Sequence, residues 1–161
     1  MRTMFALALL GAVASVPPIT HAQTAPTVRA RMLGSWRLVK YEAIAADGST
    51  RPGSFDTGVV SYDASGQMSA HLWRAAGRAT TSPRTDAERS AAYQSYLGYY
   101  GPFEIDEAKG TVVHHVRGSS YPDWVGTDQT RYYELDPDGR HLTLSVKSGD
   151  RVAQRLLWER Q

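Results

Sequence analysis

This chain of 161 residues contains no cysteine. No disulfide can brace it, no thiolate can ligate zinc or act as a nucleophile, and no lipid can be attached through an N-terminal cysteine. Its stability must therefore come from apolar burial and strand pairing, for which a single domain of this size is large enough. It has no basic run with interleaved aromatics, and despite a pI near 9.0 its formal charge is only +2, which argues against a nucleic-acid partner. The sequence also lacks a Gly-X-Ser-X-Gly nucleophile elbow, a paired-carboxylate motif and a Cys-X-X-Cys-His haem attachment. No histidine pair stands at ligand spacing with a third partner. Neither a metal nor a cofactor is expected, although a haem held by one histidine is a conceivable exception.

The N-terminus reads as an export signal. Arg2 gives a positive start, Met4 to Val16 an apolar run broken by Gly11 and Ser15, and Thr20-His21-Ala22 a small-residue cleavage site. The run is shorter than the roughly 20 residues that span a bilayer, so residues 1–22 are expected to be removed, with a retained anchor as the alternative. The expected destination is the periplasm or the medium, with no integral span in the mature chain. Residues 23–31 carry Pro26 and little pattern and are expected to be a disordered lead-in, leaving 32–161 as one domain.

From Gly34 onward, short stretches rich in Val, Tyr, Leu and Trp alternate with turn signals, the spacing of an all-β barrel or sandwich. Strands are expected at 34–45, 57–63, 67–74, 101–106, 111–118, 128–135, 141–147 and 151–159. One helix interrupts them between the third and fourth strands. It opens on the capping box Thr85-Asp86-Ala87-Glu88, continues through a stripe of Ala92, Tyr93, Tyr96, Leu97 and Tyr100, and ends at Gly98 or Gly101-Pro102. Such a helix is expected to lie across one end of the barrel. The preceding loop, Ala75 to Arg84, forms either a mouth or a solvated tether. Eight antiparallel strands left open would expose two edges, so closure into an up-and-down barrel is expected, with room inside for side chains or one small ligand.

Matching apolar faces across each hairpin fixes the register, because a slip of one residue reverses every side chain. Gly58, Val60, Tyr62, Met68, Ala70 and Leu72 then face inward, and His71 outward. Phe103 and Ile105 align with Val112, His114 and Val116, sending His115 and Arg117 outside. Arg131, Tyr133 and Leu135 align with Leu142, Leu144 and Val146, and the last strand adds Val152, Leu156 and Trp158. His114 and Arg131 are the polar exceptions in an oily interior. They are either satisfied structural residues or the polar handles of a pocket, since buried imidazole and guanidinium groups need partners. Trp124, in the Tyr121-Pro122-Asp123-Trp124 loop, either plugs the barrel end or stacks on a ligand.

Gly34-Ser35-Trp36 at the start of the first strand resembles the Gly-X-Trp signature of lipocalins. Together with GSWRLVKYEA, Gly66 to Ser69, Tyr96 to Gly101, TVVHHV, PDWVGTDQTR and Leu142-Thr143-Leu144, it is similar to the bacterial and fungal lipocalin-like domain family across Leu33 to Arg160. The resemblance implies an eight-stranded lipocalin-like barrel closed at one end by Trp36. Lipocalins carry small hydrophobic ligands, and some barrels of similar shape are enzymes. The absence of a disulfide and the position of the helix depart from the usual secreted lipocalin.

The expected function is an exported protein, monomeric or weakly dimeric, that binds a small hydrophobic molecule, in one version acidic, inside the barrel. The expected ligand-binding residues are Tyr62, Met68, Leu72, Phe103, His114, Trp124, Arg131, Tyr133 and Leu144. Hiding about 300 Å² of apolar ligand surface gains roughly 7 kcal/mol. Association losses of at least about 4 kcal/mol leave polar contacts to decide whether binding is useful. Arg131 would favour a carboxylate or phenolate. The alternative is a barrel enzyme of isomerase, cyclase or hydrolase type, with His114 as acid or base and Arg131 stabilising an oxyanion.

Overall fold

The computed structural model describes residues 26–76 and 81–161. The export signal, its cleavage site and part of the 75–84 loop lie outside the described residues. Ten strands form one sheet: β1 (Gly34–Ile44), β2 (Thr50–Pro52), β3 (Thr57–Tyr62), β4 (Gln67–Trp73), β5 (Tyr96–Asp106), β6 (Thr111–His115), β7 (Gly118–Ser119), β8 (Asp128–Leu135), β9 (His141–Ser148) and β10 (Arg151–Arg160). Each of the eight long strands pairs with its successor, and β10 returns to β1, so the sheet closes as an antiparallel up-and-down barrel. The short strands β2 and β7 attach to β1 and β5 outside that ring.

Register follows the alternation of apolar residues. Gly58 faces Leu72, Val60 faces Ala70 and Tyr62 faces Met68, all of them buried. Phe103 pairs with His114 and Ile105 with Val112, while Tyr133 pairs with Leu144 and Leu135 with Leu142. His71 and His115 lie on the outer face. The turns work because Gly66 and Gly110 take φ of 88° and 64°, a region where a side chain would be strained.

Three expectations need correction. The segment read as a disordered lead-in enters helix α1 (Val28–Met32), capped by the Thr27 hydroxyl, and ends on fully buried Met32. Helix α2 runs only from Asp86 to Gln94. Its capping box forms as expected, Glu88 N donating to Thr85 Oγ1 at 3.2 Å and Thr85 N to a Glu88 carboxylate oxygen at 3.0 Å. The rest of the tyrosine stripe, from Tyr96 on, belongs to β5, where Tyr and Gly disfavour helix and a long strand gains pairing with β4. Position 101 inside that strand takes glycine because a Cβ there would come within 1.9 Å of the His115 carbonyl. Finally, α2 does not close the barrel. None of its residues is buried, and Tyr93 reaches the 120–124 loop, donating to the Ser120 carbonyl at 2.5 Å.

The interior has two parts. At the end bounded by the 63–66 turn, Tyr62, Met68, Phe103, Val112, His114 and Leu142 fill the barrel. Trp36 seals it, donating its indole N–H to the Met32 carbonyl at 2.9 Å, with the Arg160 guanidinium 4.0 Å from its ring centre. Arg160 in turn donates to the carbonyls of Leu33, Gly139 and Arg31. The other half is not filled.

Candidate functional site

Toward the other end the interior is open. Val60, Ala70, Leu72, Leu144 and Leu156 then surround a cavity of about 220 Å³. Ala70, the smallest of these side chains, lines it between Val60 of β3 and Tyr99 of β5. Phe55 and Ser54 from one loop and Tyr121 and Trp124 from another form its outer rim. Trp124 stands in a short 3₁₀ turn, its ring edge-on to both Tyr99 (5.4 Å) and Tyr121 (5.8 Å). The wall also holds Trp158, whose buried indole N–H meets no acceptor among the described residues.

Few polar groups interrupt this apolar lining. Arg131 enters from β8. Of its five N–H donors, one donates to its neighbour's carbonyl, Thr130 O, at 2.9 Å and another reaches Gln129 Oε1 at 3.4 Å. Among the described residues no carboxylate lies within ion-pair distance of Arg131. On the facing wall Tyr41 donates to Gln154 Oε1 at 2.9 Å, which leaves the Gln154 amide hydrogens free. Burial raises the Tyr41 phenol above its ordinary pKa, and Arg131 opposes that rise.

Tyr99 completes the set. Its hydroxyl lies 3.0 Å from His114 Nδ1, and on the far side His114 Nε2 lies 2.9 Å from the Tyr62 hydroxyl. The imidazole is 1% exposed. Burial, and secondarily the charge of Arg131, hold it well below the ordinary histidine pKa, so it is neutral. Burial raises both phenols: Tyr62 well above the usual value, and Tyr99 against the opposing charge of Arg131 and a side-chain hydrogen bond from it.

Of the residues expected to contact a ligand, Leu72, Trp124, Arg131 and Leu144 line the cavity. Tyr62, Met68, Phe103 and His114 face inward but sit in the filled end, too deep along the barrel to touch the void. Tyr133 is half-buried and outside the lining, its phenol pKa raised by burial and by Glu107 and Asp106 of the β5–β6 turn. His115 points away from its neighbour His114, its Nδ1 2.7 Å from Asp128. Three polar cavity residues escape a pattern reading. Tyr99 hides in the stripe taken for helix. Tyr41 follows a register shift between Leu38 and Lys40, whereas Gln154 keeps the parity of inward-facing Leu156 and Trp158 and is missed only because it is polar. Gln154 sits beside Val146 on the interior.

The model of the lipocalin-like domain family matches residues 33–161. A carrier protein for 4'-hydroxy-3'-methoxypropiophenone from Aspergillus oryzae is 38% identical over 85 residues, covering 47% of this chain and 77% of that protein. Among solved structures, a redesigned beta barrel superposes with a TM-score of 0.44 and 11% identity, covering 86% of this chain and 99% of that one. A mutant of the fluorescent protein UnaG gives a TM-score of 0.37 and 11% identity over 81% of this chain and 96% of that one.

Proposed function

Because this chain belongs to the lipocalin-like domain family, we propose that it is a carrier whose barrel cavity holds one small hydrophobic, oxygen-bearing molecule, preferentially an acidic one. The observation that carries this reading is the Arg131 guanidinium, which opens into an apolar void with no carboxylate beside it among the described residues. A cation so placed keeps N–H donors to spare for an anion or a strong acceptor, whereas a purely structural arginine is normally ion-paired. A void near 220 Å³ suits a single substituted ring rather than a lipid or a haem. The Aspergillus oryzae relative is named for an aromatic ketone bearing a phenol, a molecule of that size class. Arg131, Trp124, Leu72 and Leu144 are the proposed contacts from the original set, joined by Tyr99, Tyr41 and Gln154.

The same geometry disfavours an enzyme that uses His114 as acid or base. Both ring nitrogens are engaged by phenols, and no atom of the ring lines the cavity. Replacing Arg131 by Met tests the carrier reading. Affinity for para-hydroxybenzoate falls at least tenfold, while that for neutral propylbenzene changes less than threefold; equal losses for both would defeat the preference for acids. We further propose export to the periplasm or medium, supported by the apolar run from Met4 to Val16 and the Thr20-His21-Ala22 site. N-terminal sequencing of protein from its native compartment should begin at Gln23, and a start at Met1 removes the proposal.

A further inference from the structure

The Tyr62–His114–Tyr99 chain admits only one economical arrangement of hydrogens. A neutral imidazole has one N–H and one lone pair, so one phenol donates to the ring and the other accepts from it. Tyr62 is 2% exposed, and among the described residues its hydroxyl makes a hydrogen bond with His114 Nε2 alone. If Tyr62 accepted instead, its own O–H would be buried with nothing to meet it, at a cost of about 1–3 kcal/mol. Tyr62 therefore donates to Nε2. The proton of His114 must then reside on Nδ1, which donates to the Tyr99 oxygen 3.0 Å away. The Tyr99 oxygen then accepts from His114 on that side and from Arg131 on the other, and it keeps its O–H. Since Tyr99 lines the cavity, that hydrogen has the void as its outlet, on the side of the barrel influenced by Arg131.

Resting on the carrier reading, we propose that Tyr62 and His114 are positioning residues that aim the Tyr99 O–H into the cavity, where Tyr99 and Arg131 together receive one acceptor-only oxygen of the ligand, a conjugated carbonyl or an ionised phenol. The specificity follows from what each partner lacks. Arg131 has no acceptor at all, and the Tyr99 oxygen is already engaged. An oxygen that must itself donate, such as an un-ionised alcohol, finds no acceptor at this point and loses a hydrogen bond it had in water. All three members of the chain are neutral, so the chain orients hydrogens rather than moving charge.

The first test needs no ligand. In protein with nitrogen-15-labelled histidine, the two-bond and three-bond correlations of the buried ring report the tautomer. The Nδ1–H form is expected for His114, and the Nε2–H form overturns the inference while leaving the carrier reading untouched. The second test compares four probes by calorimetry: para-hydroxypropiophenone, its methyl ether, para-propylphenol and propylbenzene. Tyr99→Phe, which keeps the ring, should weaken para-hydroxypropiophenone on the order of tenfold and leave propylbenzene within threefold. Loss on the methyl ether assigns the docked oxygen to the carbonyl, and loss on para-propylphenol, growing as pH rises, assigns it to the ionised phenol. Tyr62→Phe touches no ligand, yet it frees His114 to accept the Tyr99 hydrogen and should weaken the same probe threefold to tenfold. Melting transitions confirm that each variant is folded. Unchanged affinities in both folded variants overturn the inference. Wild-type protein that binds none of the four probes overturns the carrier reading and the docked oxygen with it.

Discussion

Replacing Ala70 by Leu separates a functional void from an imperfectly packed core. Ala70 is 2% exposed, faces the cavity and sits between Val60 and Tyr99 on the neighbouring strands. Leucine adds three carbons, worth about 2.4 kcal/mol at roughly 0.8 kcal/mol each when buried. The volume route agrees: filling roughly 80 Å³ at about 24 cal/mol per Å³ gives ~1.9 kcal/mol. Fixing the longer side chain returns about 0.5–1 kcal/mol of that as lost rotamer entropy. A net gain near 1.5 kcal/mol raises the Tm of a domain this size by about 5 °C. The remaining space can no longer hold a ring beside Tyr99, so affinity for para-hydroxypropiophenone falls at least a hundredfold. Thermal melts of the ligand-free protein and calorimetry with that probe read both effects. A drop in Tm means the region is already packed, since overfilling costs about 1–3 kcal/mol. A higher Tm with unchanged affinity means the ligand binds elsewhere. Either result refutes the reasoning.

Other outcomes follow from the filled end and the close approaches. His114 is held neutral well below the ordinary histidine pKa of 6.5, chiefly by burial, so the unfolded chain takes up a proton that the folded one refuses. Stability is therefore complete above that value and falls by up to about 1.4 kcal/mol per pH unit as pH drops below it. Urea unfolding between pH 7.5 and 5 should show this slope, and a flat profile would place His114 in contact with water. Conversely, burial raises the Tyr41, Tyr62 and Tyr99 phenols, so stability is complete below pH 10 and declines as pH rises beyond it; an alkaline melt series that shows no decline contradicts their burial. Gly101→Ala forces a Cβ against the His115 carbonyl, a backbone atom that cannot turn aside, and should cost more than about 3 kcal/mol or prevent folding. Arg160→Met removes three carbonyl contacts and the cover over Trp36 and should cost about 2–3 kcal/mol while leaving probe affinity unchanged; a change in affinity would couple the sealed end to the cavity.

The fold was legible because a closed antiparallel barrel writes itself as alternation with turns at short intervals. Val60, Tyr62, Met68, Ala70 and Leu72 alternate without a break across one turn, and the observed register is the one that alternation demands. The failures occur where the period changes. From Ala92 to Tyr100 the apolar spacing fits a helix as well as a strand, and only pairing with β4 decides that Tyr96 to Tyr100 are extended. In β1 a register shift moves the inward set from one parity to the other and brings Tyr41 inside, whereas Gln154 keeps the parity of Leu156 and Trp158 and goes unread only because it is polar.

Alternation also says which face a residue takes but not how far down the barrel it lies, and this is why His114 and Arg131 looked equivalent. His114 on β6 is directed into the filled half and Arg131 on β8 into the open half, although both face inward. The division has an energetic logic. A dry void of 220 Å³ would cost up to about 5 kcal/mol at roughly 24 cal/mol per Å³. That is comparable to the whole net stability of an ordinary domain, about 5–15 kcal/mol. A barrel without disulfides can carry such a defect only if its other half is packed to a higher standard, as the Trp36, Met32 and Arg160 seal is. The same cost sets the response to a ligand. Occupancy at a hundredfold excess over Kd adds about 2.7 kcal/mol, which shifts the Tm by roughly 10 °C at the scale expected for this size. In the Ala70→Leu variant, where leucine takes the space permanently, the ligand shift should vanish while the baseline rises, and a ligand shift that persists there would break the link between void and function.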